Sequence, residues 1–114
     1  MDLRKLMLMI QEEKEMNANM SLEFDCEVDT EDPAPLVKVI NYIINYLTPL
    51  TDKPLEISLN AHRGGAMLSF ATFTEQTNLP AVSDQVQVTL KEYNATLEIT
   101  HKEGQFVQLI IYFN

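Results

Sequence analysis

Read as a strand, the closing stretch Val107-Gln108-Leu109-Ile110-Ile111-Tyr112-Phe113 is apolar on both faces. Val107, Leu109, Ile111 and Phe113 share one side, and Ile110 and Tyr112 share the other. A strand of that kind belongs in the interior of a sheet. The rest of the chain must then supply neighbouring strands and helices that cover them. With 114 residues, 46% of them hydrophobic, the chain has material for one packed domain, residues 1–114.

The covering elements can be read from periodicity. Residues 2–18 predict a helix, with Asp2 at its N-cap and Leu3, Leu6, Met7 and Ile10 at helical spacing. Met9, Met16 and Met20 widen its apolar surface, so residues 1–20 are a candidate partner or dimer surface as well as a candidate part of the core. Residues 21–29 alternate: Leu22, Phe24, Cys26 and Val28 against Glu23, Asp25, Glu27 and Asp29. That pattern predicts a half-buried strand with an acidic outer face. Asp32-Pro33-Ala34-Pro35 leads into the strongest helical pattern, residues 35–48, with Leu36, Ile40, Ile43, Ile44 and Leu47 on one face. Leu55 to His62 and Met67 to about Thr74 predict a hairpin turning at Arg63-Gly64-Gly65. Pro80 opens a third helix with Val82, Val86, Leu90 and Tyr93 on one stripe, and Asn94 stops it. A second hairpin turns at Lys102-Glu103-Gly104-Gln105 and ends in the doubly apolar strand. The order αβαββαββ predicts an α/β (α+β) two-layer sandwich, a mixed sheet covered on one face by three helices.

Charge narrows the function classes. Seventeen acidic residues against eight basic give a net charge of −9. That balance argues against nucleic acid, whose binding proteins carry an excess of Lys and Arg, and against an anionic membrane surface. Its ordinary reading is solubility, and its alternative is a docking face for a basic protein partner. The lone Cys26 forms no internal disulfide and reads as a buried thiol. With no signal-peptide pattern and no apolar run of membrane-spanning length, a cytoplasmic location is expected.

No motif supplies a catalytic group. His62 and His101 lie in separate hairpins, Gly64-Gly65 precedes a strand where a phosphate loop needs a helix, and no Cys/His cluster suits zinc. The acidic alternation at 23–29 lacks the glycine turn of a calcium loop, so no metal site is expected there. Asn41 and Asn45 stand out, because asparagine is mildly unfavourable inside a helix and these two share a face. They read either as a solvated stripe with Lys38 and Thr48 or as a ligand-facing edge, where amides can meet phosphate oxygens or a magnesium ion.

The segment Leu36-Val37-Lys38-Val39-Ile40-Asn41-Tyr42-Ile43-Ile44-Asn45-Tyr46-Leu47 resembles the N-box helix of histidine-kinase-type ATPase domains, the GHKL superfamily. The kinase form of that box reads roughly Leu-x-x-Val-Leu-x-Asn-Leu-Leu-x-Asn-Ala. On this resemblance Asn45 matches the asparagine that helps hold magnesium, and Tyr46 replaces the alanine after it. An acidic strand before the box, a Leu-x-Ile-x-Leu strand after it at Leu55 to Leu59, and the closing helix and hairpin follow the family order.

The departures are equally specific. The family carries an Asp-x-Gly box, whose aspartate bonds the adenine amino group, after the strand matching Met67–Phe73. Here Phe73-Thr74-Glu75-Gln76 stands in that place. The glycine-rich box is missing, and the loop from Glu75 to Pro80 is too short for an ATP lid. No histidine precedes the first strand, so no phospho-acceptor helix pair is expected. The resemblance therefore implies a non-catalytic pseudo-ATPase module, with Asn41 and Asn45 as a vestigial nucleotide and magnesium site and no cofactor. Its role would be protein–protein interaction or regulation in bacterial-type signalling, two-component or anti-sigma-like, with a protein partner or a homodimer. The alternatives are a small ATP-binding GHKL protein kinase using ATP and magnesium, or an unrelated α/β binding subunit.

Overall fold

The computed structural model describes residues Met1–Asn114. The chain runs α1 (Leu3–Lys14), β1 (Ala18–Leu22), α2 (Ala34–Leu47), β2 (Leu55–His62), β3 (Gly65–Phe73), α3 (Asp84–Lys91), β4 (Ala95–Lys102) and β5 (Phe106–Phe113). The strands form one sheet in the order β1-β2-β3-β5-β4. β1 runs parallel to β2, and every other neighbouring pair is antiparallel, so the sheet is mixed. One sheet face and the apolar stripes of all three helices merge into a single core. This is the two-layer architecture expected from the element order.

β5 lies between β3 and β4, inside the sheet, as its two apolar faces require. Val107, Leu109 and Ile111 are fully buried, and Ile110 on the other face is buried too. α2 supplies Leu36, Val39, Ile40, Ile43, Ile44 and Leu47 to the core. Each fully buried Leu or Ile contributes about 1.5–3 kcal/mol relative to exposure. Truncating Ile40 to alanine would cost about 2–5 kcal/mol, transfer and cavity together. α1 is capped as expected, with the Asp2 carboxylate accepting from the backbone N–H groups of Arg4 and Lys5. It stops at Lys14, short of residue 18, because Glu15 adopts a left-handed conformation that ends the ladder.

The β2–β3 turn has positive φ at both Arg63 and Gly64, the conformation a tight hairpin favours. Gly65 is required for a different reason. A side chain there would collide with the backbone carbonyl of Phe113, where β3 passes the end of β5.

Two expectations are corrected. The strand expected over residues 21–29 ends at Leu22. β1 covers Ala18–Leu22, and beyond it the Glu23 carboxylate accepts from the Ala61 N–H at 2.8 Å, so a side chain occupies the ladder. Asp25 then turns at φ 62, and the chain bridges back to the start of α1. Cys26 and Val28 are buried there, whereas Phe24 is exposed, with the Arg4 guanidinium 4.2 Å from its ring centroid. Pro80 does not open the third helix. α3 starts at Asp84 under a Ser83 cap, because residues 80–83 are drawn out against α2. No helix is long and apolar enough to cross a membrane.

Candidate functional site

α2 presents two polar flanks beside its buried stripe, and each is spaced four residues apart. Asn41 and Asn45 form one, Tyr42 and Tyr46 the other. The one-residue offset between them turns the pairs about 100° apart around the helix.

The asparagine flank does not converge on a ligand. Asn41 buries its side-chain oxygen with no hydrogen-bond partner. Asn45 is exposed and accepts from the Lys14 Nζ at 3.3 Å. Asn45 opens onto a cavity of about 410 Å³ where α1 and α2 end and β2 begins, shared with Lys14, Asn17, Thr48 and Lys53; Asn41 is not among its lining residues. The fit to magnesium is poor. The Asn45 amide oxygen is taken by an ammonium group, and although Glu15, Asn17 and Asp52 also line the cavity, no group of three His, Cys, Asp or Glu side chains converges to hold a metal ion.

The tyrosine flank is a set of struts. The two rings stack at 6.4 Å between centroids. Tyr46 Oη donates to the Pro80 carbonyl at 2.6 Å, and Tyr42 Oη accepts from the Ser83 N–H at 2.9 Å. Leu79 and Val82 pack against the core beside them. The segment 79–83 is thereby stapled to α2. Burial raises the Tyr46 phenol above its ordinary value, and the Tyr42 phenol adds to the rise. Beyond this staple, a groove of about 590 Å³ runs between α2 and α3, lined by Lys38, Val39, Tyr42, Gln85, Val86 and Thr89 among others.

A third phenol secures the start of α2. Tyr93 is buried, donates to the Asp32 carbonyl at 2.8 Å and accepts from the Leu36 N–H at 3.1 Å. Burial is the largest cause that raises its pKa; Asp32 and Glu92 add to it, and the bond from Leu36 opposes it. None of these tyrosines was singled out as a site residue from the sequence. The available signal was two tyrosines four apart beside an apolar stripe.

The end of β3 is committed to structure. Thr74 is buried, donates to the Leu50 carbonyl at 2.7 Å, and accepts from the Gln76 N–H at 3.2 Å. The Gln76 carbonyl accepts from the Gly104 N–H and meets His101 Nε2 at 3.2 Å. His62 lies apart, tilted against the Tyr112 ring. Cys26 is buried, and burial, then Glu23, Asp2 and Asp25, raise its thiol, which disfavours a thiolate nucleophile.

No protein-family model and no curated protein matches this chain. Its structure is similar to that of the Acinetobacter baumannii histidine kinase AdeS, with a TM-score of 0.73 and 12% identity. The match covers 99% of this chain and 64% of that one. At such identity the likeness is one of fold, and the fold is histidine-kinase-like.

Proposed function

We propose that this chain is a pseudo-ATPase module: a histidine-kinase-like fold that serves protein–protein interaction or regulation in bacterial-type signalling and transfers no phosphate itself. The observation that carries the reading is the tyrosine staple. Aligning the kinase N-box on the buried stripe Leu36, Val39, Ile40, Ile43 and Ile44 puts its two asparagine positions at Tyr42 and Tyr46. The register that assigns Asn45 to magnesium is thus one residue out of step with the core. Phenols stand where the family's amides would be, and they hold a short loop against the helix where a lid would open. The Asp-x-Gly position is likewise filled by Thr74 and Gln76, whose polar groups are engaged with Leu50 and with the β4–β5 hairpin. An adenine amino group would find no free carboxylate in that segment's bonding pattern except exposed Glu75.

The runner-up is a small ATP-binding kinase of the same superfamily. The groove between α2 and α3 is the feature that favours it, since it leaves room beside Lys38. Isothermal titration of the full chain with Mg-ATP separates the two. The pseudo-ATPase reading expects no saturable heat in the micromolar range; clear saturable binding overturns it.

A further inference from the structure

β4 is one free edge of the sheet, and its two halves are treated differently. Over the first half, Gln87 of α3 imitates a neighbouring strand. Its Nε2 donates to the Leu97 carbonyl at 3.0 Å, and its Oε1 accepts from the Leu97 N–H at 3.2 Å. Leu97 therefore directs its backbone groups away from β5. By the alternation of an antiparallel ladder, the backbone groups of Ile99 and His101 point to the same outer edge. No side chain takes the place of Gln87 there. Ile99 is 44% exposed, and Val88, next to Gln87 on α3, is 54% exposed.

We infer that the open half of β4, Glu98 to Lys102, is a homodimer edge that pairs antiparallel with the same segment of a second copy about a two-fold axis at Thr100. Its charges favour that register. With Thr100 opposite Thr100, Glu98 of one copy faces Lys102 of the other, twice by symmetry. Ile99 and His101 exchange backbone hydrogen bonds with His101 and Ile99 of the second copy. Glu98, Thr100 and Lys102 then form the non-hydrogen-bonded positions, where side chains come closest. Shifting the axis to Glu98 would set glutamate against glutamate. Gln87 supports the same choice: in the Thr100 register Leu97 lies opposite Glu103, beyond the partner strand, and its seal stays intact. The paired sheets would run continuously through both copies, and the exposed Ile99 side chains would gain apolar neighbours at the join. This inference stands or falls independently of nucleotide binding.

The test is a charge exchange read by sedimentation equilibrium of the full chain, with circular dichroism to confirm folding. The wild type should show a concentration-dependent dimer. Glu98→Lys and Lys102→Glu should each raise the dimer dissociation constant about tenfold, since each sets like charges opposite one another twice. The double variant should restore wild-type association. Ile99→Pro, which removes an outward N–H from an edge strand, should stay folded and monomeric. A wild type that is monomeric up to millimolar concentration overturns the proposal. So do single variants that associate normally, a double variant that fails to recover, or a folded Ile99→Pro dimer.

Discussion

The two flanks of α2 share a spacing and diverge in outcome. On one, Tyr42 and Tyr46 reach across to backbone groups of Ser83 and Pro80 and fix a loop. On the other, Asn41 buries an unpartnered oxygen and Asn45 meets a lysine at the rim of a cavity. A phenol combines a large apolar ring with one polar atom at its tip, so it can bury area and still satisfy a distant backbone group. An amide is short and must find its partners close by. The contrast predicts that stability is concentrated on the tyrosine side and that the asparagine side is close to neutral or costly.

Among the polar groups flanking α2, the largest effect is expected at Tyr93, the phenol that secures the start of α2. Tyr93→Phe keeps the ring but leaves the Leu36 N–H without its acceptor beneath a fully buried residue. The expected loss is about 1–3 kcal/mol in urea denaturation, the cost of an unsatisfied buried donor. An unchanged midpoint would remove Tyr93 from the set of struts.

Tyr46→Phe should cost about 1 kcal/mol, because its acceptor, the Pro80 carbonyl, is exposed and water can replace the phenol. Amide hydrogen exchange should quicken over the non-proline residues of 79–83, and no change there would break the link between phenol and loop. The same groups set a pH response. The folded-state pKa values of Tyr46 and Tyr93 lie above the ordinary tyrosine value near 10, so the unfolded chain loses these protons first. Their contribution is complete below about pH 10 and is lost as the pH rises through the folded-state values. Denaturation midpoints measured from neutral to alkaline pH should therefore fall, and fall less in the variant with both Tyr46→Phe and Tyr93→Phe.

Asn41→Leu should move stability the other way, up by about 0.5–1 kcal/mol. It removes a buried oxygen that has no donor and installs a better helix former. A loss above about 1 kcal/mol would show that the amide has a partner, such as an ordered water.

What could be read from the sequence follows this division. The helical stripe of α2 and the two hairpins were legible because their periods, 3.6 and 2, are imposed by burial on one side. The doubly apolar β5 announced its interior place. Residues 23–29 misled because alternation persists where the ladder does not. Cys26 and Val28 are buried under the start of α1, and the Glu23 side chain closes the pairing that backbone groups would have continued. The start of α3 was misplaced at Pro80 because a tertiary staple holds residues 80–83 extended, although Ser83 followed by Asp84 was a cap signal. The register of the candidate site was illegible for a related reason. Which flank of a helix faces a neighbour depends on where that neighbour packs, and an Asn-x-x-x-Asn spacing carries no information about it.

The smallest expected effect is also the sharpest check on the comparison. Asn45→Ala removes a 3.3 Å contact between an exposed amide and a lysine ammonium. Exposed contacts of this kind contribute about 0–1 kcal/mol, because water competes for both groups and the long lysine chain loses freedom in making them. Alanine returns up to about 0.7 kcal/mol in helix propensity. The two terms nearly cancel, so the denaturation midpoint should move by less than the equivalent of about 0.5 kcal/mol. Tyr46, one residue further on, is expected to cost about twice that for the loss of a single hydroxyl. If Asn45→Ala destabilised the fold as much as Tyr46→Phe, the asparagine flank would be as structural as its neighbour. The assignment of the loop-holding role to the phenols alone would then be lost.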